Sequence, residues 1–179
     1  MRIISGKYKG KHLSAPKNLP VRPTTDFAKE ALFNILGNEF ELDGITVLDL
    51  FSGTGNIAYE FASRGAKTIT CIDANNHCVS YIKRTAKELG FDQLDVYKND
   101  VFQYLKKYPK QFDIIFADPP YDLEKSDEII TLVMEHQLLK PGGMLILEHD
   151  RKWDFSDHPQ FVDHRRYGNV NFSRFSTDE

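Results

Sequence analysis

The chain has 179 residues, of which 41% are hydrophobic and 27% charged, so it is long enough for one globular domain with a sizeable core. No apolar run approaches the roughly 18 residues of a membrane-spanning helix, and residues 1–7 lack the apolar stretch of a signal peptide. The two cysteines, Cys71 and Cys78, do not form a CxxC pair. This spacing predicts reduced, packed thiols in a cytoplasmic protein, without a structural zinc.

Charge is unevenly distributed along the chain. The net charge is −3, but residues 1–25 contain six basic side chains and no acidic one, which leaves 17 basic and 26 acidic side chains in the remaining 154 residues. Two interpretations stay open, a solvated basic arm without a partner and a contact surface for a polyanion. We favour the second, because a basic segment on an acidic body is typical of nucleic-acid binding.

The start of the chain predicts a small β-hairpin. Residues 3–4 and 11–13 fit two short strands around a glycine-containing turn, which is too small to fold alone. Three prolines then predict a stiff connector up to residue 25. From residue 26, apolar side chains recur at helical spacing and predict an amphipathic helix over 26–36 that ends at Gly37. We therefore expect a basic hairpin and connector over 1–25 and one main domain over 26–179.

Strand-like and helical segments alternate from residue 45 onward. This alternation predicts an α/β fold with a Rossmann-like, doubly wound and mostly parallel sheet. Two further strand-like runs in the tail predict a closing antiparallel hairpin. The predicted strands are 45–50, 67–72, 94–97, 112–117 and 144–148, the helices are 56–64, 75–89, a short one after 100 and 125–137, and the hairpin runs are 160–162 and 169–175, on either side of 165–168.

The tetrapeptide Asp118-Pro119-Pro120-Tyr121 follows the predicted buried strand 112–117. Proline has no N–H for the ladder, so the strand ends here and leaves a carboxylate, backbone carbonyls and a ring at the edge where open α/β sheets bind ligands. A carboxylate and a carbonyl can accept both hydrogens of a planar amino group, and Tyr121 can stack on the plane that carries it. The alternative is a proline-stiffened turn with a surface tyrosine.

A glycine-containing loop lies between the strand that ends near Asp49 and the helix that starts at Asn56. Gly53 and Gly55 allow a ligand to approach the backbone, and the acidic Asp73 follows Gly55 by eighteen residues. This spacing fits NAD as well as S-adenosylmethionine. Asp49 favours the second, because it would repel a pyrophosphate but suit a cationic amino-acid group.

Asp100 closes the third strand, and two roles are open for it. Its carboxylate can accept a hydrogen bond from an adenine amino group, or it can cap the helix that starts at Val101. Asp49, Asp73, Asp100 and Asp118 all fall at carboxyl ends of predicted strands, where four acids would repel one another without a ligand. The set therefore supports S-adenosylmethionine more strongly than any member does.

These motifs, in this order, resemble those of class I S-adenosylmethionine-dependent amino-methyltransferases. The stretches 2–10 and 22–36 resemble, more specifically, the bacterial 16S ribosomal RNA (guanine-N2)-methyltransferase family. The resemblance implies methyl transfer from S-adenosylmethionine to guanine N2, a Rossmann-like sheet with a short N-terminal extension, and no metal. The chain departs from the family at Phe27, where a basic residue is usual.

The resemblance also implies roles for individual residues. Asp49, Gly53 and Gly55 would border the methionine part of the cofactor, Asp73 the ribose, and Asp100 with Val101 the adenine. Asp118 and the Pro119 carbonyl would hold the target amino group, with Tyr121 against the base. Phe51 and Ala74 complete the expected cofactor contacts, and the expected RNA contacts are Arg2, Lys7, Lys9, Lys11 and Arg22, with Thr24 near the mouth.

The expected partner is ribosomal RNA or the small ribosomal subunit, bound by a monomer. Asp-Pro-Pro-Tyr suits any planar amino group, so DNA bases and a protein glutamine remain alternative substrates. The short chain leaves little room for the separate target-recognition domain that those substrates favour. A non-catalytic nucleotide-binding or NAD-binding module is the alternative from another class.

Overall fold

A computed structural model describes residues 1–21 and 24–177. Five helices and seven strands follow one another within these ranges. The helices are α1 (Asp26–Glu39), α2 (Asn56–Ser63), α3 (Asn76–Leu89), α4 (Val101–Lys107) and α5 (Ser126–Glu135). The strands are β1 (Thr46–Leu50), β2 (Thr68–Asp73), β3 (Leu94–Lys98), β4 (Phe112–Ala117), β5 (Leu139–His149), β6 (Phe161–Tyr167) and β7 (Val170–Phe175).

All seven strands form a single sheet in the order β3-β2-β1-β4-β5-β7-β6. The first five strands pair in parallel, whereas β7 runs antiparallel to both β5 and β6. This arrangement confirms the predicted doubly wound sheet with a C-terminal antiparallel hairpin. The strand order reverses between β1 and β4, and such a switch point opens a crevice at the carboxyl ends of the strands.

Two hydrophobic cores cover the two faces of the sheet. The core with α1, α2 and α3 contains Phe33 and Phe61, whose rings pack 4.7 Å apart, and the core with α4 and α5 contains Phe112 and Ile130. Across the residues that the structure describes, no helix is long and apolar enough to cross a membrane. The same residues contain no group of three or more His, Cys, Asp or Glu side chains placed to hold a metal ion.

Three local predictions were wrong. Helix α1 continues through Gly37 to Glu39, because a helical glycine costs only about 1 kcal/mol and Glu39 pairs with the buried Arg174 of β7. Strand β5 begins at Leu139 instead of 144, with an irregularity opposite β4 between its first pair and the rest. Residues 165–167 belong to β6 and do not form a loop beside it.

The N-terminal segment is a small hairpin that packs on α2. Arg2 pairs with His12, and the N–H of Ile3 donates to the Lys11 carbonyl at 2.9 Å. The hairpin turn covers the end of α2, where the Ser63 carbonyl accepts from the Lys7 N–H at 2.7 Å. Gly6, at φ +87°, lies so close that a Cβ would come within 1.9 Å of this carbonyl oxygen, so the docking requires glycine.

The Glu60 carboxylate on α2 joins the hairpin to two helices. Its side chain is fully buried, and it accepts from the N–H groups of Ile4 at 2.8 Å and Ser5 at 3.1 Å. It also forms ion pairs with Arg64 at 2.9 Å and with the buried Lys29 of α1 at 3.3 Å. Burial lowers the pKa of Lys29 from its usual value, although Glu60 acts in the opposite direction.

We expect Glu60→Gln to lower the free energy of unfolding by about 3 kcal/mol, because it leaves the buried Lys29 ammonium without its carboxylate. Urea unfolding measures the change, with Glu88→Gln, at an exposed position on α3, as the matched control. Equal unfolding free energies for the two variants would contradict the central role of Glu60.

Candidate functional site

A cavity of about 600 Å³ opens at the carboxyl ends of β1, β2 and β4, beside the switch point of the sheet. This volume lies within the range of small-molecule and cofactor sites. Its walls come from the loop after β1, the end of β2, the segment after β4, and residues 20, 21 and 24 of the N-terminal connector. The cavity therefore brings together segments that are far apart in the sequence.

The loop after β1 folds tightly against the start of α2. The Ser52 hydroxyl donates to the Asp49 carbonyl at 2.7 Å, and the Gly55 N–H donates to the Ser52 carbonyl at 2.8 Å. Gly55 adopts φ +83° and precedes Asn56, the first residue of α2. A Cβ at Gly55 would come within 2.5 Å of the Tyr59 ring. Gly55 therefore packs against Tyr59 and does not line the cavity, whereas Gly53 lies on the cavity wall.

The Asp73 carboxylate at the end of β2 organises this loop. One oxygen accepts from the Gly53 N–H at 2.9 Å, and the other accepts from the Asn75 N–H at 2.8 Å. An ionised carboxylate offers about four acceptor positions, so two backbone bonds leave capacity for ligand hydroxyl groups. Asp73 and the adjacent Ala74 both line the cavity.

The Asp49 carboxyl on the cavity wall is deeply buried and has a raised pKa. It is 2% exposed, and among the described residues its Oδ2 has no hydrogen-bond partner. Burial, with a further contribution from the charge of Asp73, raises the pKa of Asp49 to about 8. An unpaired buried carboxylate is costly, and a cationic ligand group would offset that cost whereas a pyrophosphate would add to it.

The Asp118–Tyr121 segment forms the wall at the end of β4. The Asp118 N–H donates to the Leu50 carbonyl at 3.3 Å, which joins this segment to the end of β1. Asp118 is half-buried and Pro119 is buried, whereas Pro120 is exposed. The Tyr121 carbonyl accepts from the Lys152 ammonium at 3.0 Å. Asp118 and Asp49 therefore face one cavity from neighbouring strands.

Most of the residues expected to bind cofactor or substrate lie on this cavity wall. They are Asp49, Phe51, Gly53, Asp73, Ala74, Asp118, Pro119 and Tyr121. Asp100 and Val101 lie outside it. The Asp100 side chain accepts from the Gln103 N–H at 3.0 Å, and Val101 is buried in the core. The helix-cap role of Asp100 is confirmed, and its contact with adenine stays a prediction.

The structure presents most of the predicted RNA-binding residues to solvent. Lys7, Lys9 and Lys11 are exposed on the N-terminal hairpin, and Arg2 is half-buried. The Arg2 N–H donates to the Asp26 carboxylate at 3.3 Å, so the hairpin lies beside the start of α1. Arg22 lies outside the described residues. The RNA contacts of these side chains stay predictions.

The sequence did not predict a buried polar network that adjoins the cavity wall. The Lys29 ammonium donates to Asn56 Oδ1 at 2.8 Å, and Asn56 Nδ2 donates to the Thr24 carbonyl at 3.2 Å. The Thr24 hydroxyl donates to Glu148 Oε1 on β5 at 2.6 Å. One signal was present, because Lys29 shares the helical spacing of the buried Leu32 and therefore falls on the apolar face of α1.

Comparison with known proteins agrees with this fold. The family described as Conserved hypothetical protein 95 matches residues 1–176. YlbH of Bacillus subtilis, named as a candidate rRNA methyltransferase, is 38% identical over 156 residues, which cover 85% of this chain and 84% of that protein. The ribosomal RNA small subunit methyltransferase D of Buchnera aphidicola subsp. Baizongia pistaciae is 33% identical, with 84% of this chain and 76% of that protein covered.

A solved structure of another protein has the same fold. The Escherichia coli protein yhhF, described as a candidate methyltransferase, superimposes with a TM-score of 0.86 at 25% identity. The match covers 98% of this chain and 96% of that one. The chain has the fold of methyltransferases and belongs to the Conserved hypothetical protein 95 family.

Proposed function

We propose that the chain transfers a methyl group from S-adenosylmethionine to the exocyclic N2 of a guanine in small-subunit (16S) ribosomal RNA. The observation that carries the proposal is a single cavity lined both by the unpaired, buried Asp49 carboxylate and by the acceptor segment Asp118–Tyr121. Relatives named as ribosomal RNA small subunit methyltransferase D support the choice of RNA.

The cavity fits the cofactor on the chemistry of its own side chains. Asp49 would pair, as the carboxylate, with the α-ammonium group, which gives its Oδ2 the partner that it lacks among the described residues, and Asp73 would accept hydrogen bonds from the ribose hydroxyls. When bound, S-adenosylmethionine supplies a methyl group on a positively charged sulfur, which is an electrophile. The cavity walls would position the methyl donor against the target amino group and would stabilise the charge that develops during transfer.

Asp118 and Pro119 would activate the target amino group. The lone pair of guanine N2 is delocalised into the ring, so the nitrogen is a poor nucleophile. Hydrogen bonds from its two N–H groups to the Asp118 carboxylate and the Pro119 carbonyl would draw electron density onto the nitrogen and orient the lone pair toward the methyl group. After transfer the nitrogen loses a proton readily, so Asp118 does not need to be a strong base.

The basic hairpin would hold the RNA. Lys7, Lys9 and Lys11 are exposed on a segment that Glu60 and Ser63 fix to α2, the helix that begins at the cavity. Contacts of this kind bind phosphates and set the register of the substrate without reading its sequence. The target base must leave its stack to reach the cavity, which favours an unpaired or easily opened nucleotide.

The substrate is tested by transfer of a labelled methyl group to 16S RNA, small subunits, DNA and a protein release factor. Nucleoside analysis of the labelled RNA should yield N2-methylguanosine, because the acceptor segment would hold an exocyclic amino group and the resemblance of residues 2–10 and 22–36 to guanine-N2 methyltransferases selects guanine. Label in DNA or protein alone, or in N6-methyladenosine, would refute the proposed specificity.

We expect Asp118→Ala to lower single-turnover methyl transfer at least about 100-fold, because the acceptor that polarises the amino group is lost. Asp118→Asn should also be slow, since an amide lacks the negative charge. Binding of S-adenosylhomocysteine, measured by calorimetry, should stay unchanged in both variants. Asp127→Asn, at an exposed position on α5, is the matched control, and near-wild-type turnover in Asp118→Ala would rule out this mechanism.

Asp49 should make cofactor binding depend on pH. Its pKa of about 8 means that the carboxyl is largely protonated at pH 7 and must lose this proton to pair with an ammonium group. The affinity for S-adenosylhomocysteine should therefore rise between about pH 6 and 8, with release of a proton on binding. Asp49→Asn should bind more weakly, with this pH dependence absent.

The same pKa sets the sign of the effect on stability. In the absence of ligand the folded protein retains a proton on Asp49 that the unfolded chain loses near pH 4, so the contribution of Asp49 to stability should fall as the pH rises from about 4 to about 8. A cofactor affinity that fell over this range, or a variant with the wild-type profile, would contradict the assignment of Asp49.

A further inference from the structure

Phe27, the second residue of α1, exposes a large aromatic ring three residues after Thr24 of the cavity wall. Its side chain is 66% exposed, the largest value among the exposed hydrophobic residues of the described chain. The ring packs edge-to-face on Tyr167, at the end of β6, with the ring centres 6.2 Å apart. A lone exposed apolar residue is ordinary on a protein surface, so its surroundings must decide whether it has a function.

An aromatic row connects Phe27 to the cavity wall. Phe116 on β4 lines the cavity, and its ring lies 6.3 Å from that of Phe172. The Phe172 ring lies 6.1 Å from Tyr167, which in turn contacts Phe27. Phe116 and Phe172 are buried, Tyr167 is half-buried and Phe27 is exposed. The row therefore runs from the cavity to solvent in three steps of about equal length.

The backbone holds Phe27 at a fixed position relative to the cavity. Thr24 lines the cavity and is bound to Glu148 on β5. Thr25 caps α1 by accepting from the Ala28 N–H at 3.2 Å. Phe27 thus lies three residues from a cavity residue, on a helix whose start is pinned to the sheet. Such a ring is already ordered before a ligand arrives, which reduces the entropy cost of binding.

Basic groups flank the aromatic pair. Arg165 and Arg166 are exposed on β6 next to Tyr167; Arg165 pairs with Asp163 at 3.2 Å, and the side chain of Arg166 donates to the Gly168 carbonyl at 2.9 Å. The basic hairpin also meets the start of α1, where the backbone N–H of Arg2 donates to the Asp26 carboxylate. An exposed ring on elements that adjoin basic segments matches the chemistry of a nucleic-acid strand, which presents flat base faces between phosphates.

We propose that Phe27, held by Tyr167, is a stacking platform for an unpaired RNA base close to the nucleotide that enters the cavity. The proposal rests on the proposed function and deepens it, because it identifies the substrate as RNA with more than one nucleotide out of its helical stack. Every base has a π-face, so the contact positions the strand without reading its sequence. Phe27 is then a positioning residue, which acts on substrate binding and leaves the methyl-transfer step to the cavity.

The test separates stacking from general apolar contact at the same site. Phe27→Ala should raise KM for the RNA substrate about tenfold and change kcat less than about twofold, because base–aromatic stacking is lost while the cavity is intact. Phe27→Tyr and Phe27→Trp, which keep a ring, should stay close to wild type. Phe27→Leu, which keeps apolar bulk without a π-face, should behave like Phe27→Ala.

Two comparisons control for exposure and for charge. Tyr97→Ala removes a ring that is 53% exposed on β3, at the opposite edge of the sheet from β6, and should leave KM unchanged. A Lys7/Lys9/Lys11 triple Ala variant should weaken binding to 16S RNA and make its salt dependence shallower. Phe27→Ala should weaken binding with the salt dependence unchanged, since stacking releases no counterions.

Each outcome bears on one of the two proposals. If the wild-type protein methylates neither 16S RNA nor small subunits, the proposed function fails. If it methylates either substrate and Phe27→Ala has the wild-type KM, the stacking platform is refuted and the proposed function stands. A wild-type KM in Phe27→Leu would overturn the proposal, because apolar bulk would then suffice without a π-face. Weaker binding of Phe27→Ala to small subunits, with unchanged binding to naked 16S RNA, would also overturn it, because Phe27 would then contact a protein surface instead of a base.

Discussion

The buried carboxylate of Glu60 is the interaction on which the architecture of this chain depends. It is itself fully buried, accepts from two backbone N–H groups of the N-terminal hairpin, and pairs with Lys29 of α1 and with Arg64 just after α2. A buried ion of this kind is tolerated only when its partners are complete. The hairpin, α1 and α2 must therefore assemble together, and they do so at the helix whose first turn borders the cavity.

The same network extends into the cavity. Lys29, which pairs with Glu60, also holds Asn56, and Asn56 holds the Thr24 carbonyl on the cavity wall. Direct hydrogen bonds and ion pairs thus join the basic N-terminal hairpin to the cavity in which methyl transfer would occur. Buried polar networks rigidify a structure when every member is satisfied. Thr24 on the cavity wall is therefore joined to the hairpin through α1 and α2.

The cavity itself combines a satisfied carboxylate with an unsatisfied one. The Asp73 carboxylate accepts hydrogen bonds from the N–H groups of Gly53 and Asn75 and so holds the glycine loop in place. Asp49 Oδ2, in contrast, has no hydrogen-bond partner among the described residues. The first arrangement fixes the loop before a ligand arrives. The second makes the charged form of Asp49 unfavourable until a cation stabilises it, which favours a cationic ligand over a neutral one of the same shape.

Local patterns were sufficient to predict the sheet and the residues at its carboxyl edge. Asp49, Asp73 and Asp118 each follow a short apolar run, and parallel strands bring such ends together. Asp100 was ambiguous for a physical reason, because the end of a strand is also the position where the next helix needs a cap. The contact between Thr24 and Glu148 spans 124 residues, and no local pattern reports such a distance. The path of α1 through Gly37 was missed because Glu39, the last residue of the helix, bonds to Arg174, which lies 135 residues away in the sequence.

The outer strands of the sheet influence whether the protein aggregates edge to edge at high concentration. β3 and β6 have unpaired edges that could recruit strands from other molecules. β6 carries Asp163, His164, Arg165 and Arg166 in succession and has an irregular register near its start, and β3 carries Asp95 and Lys98. Strand addition at either edge would desolvate these charges or require the irregularity to straighten. These charges and the irregularity thereby oppose growth of the sheet from one molecule to the next.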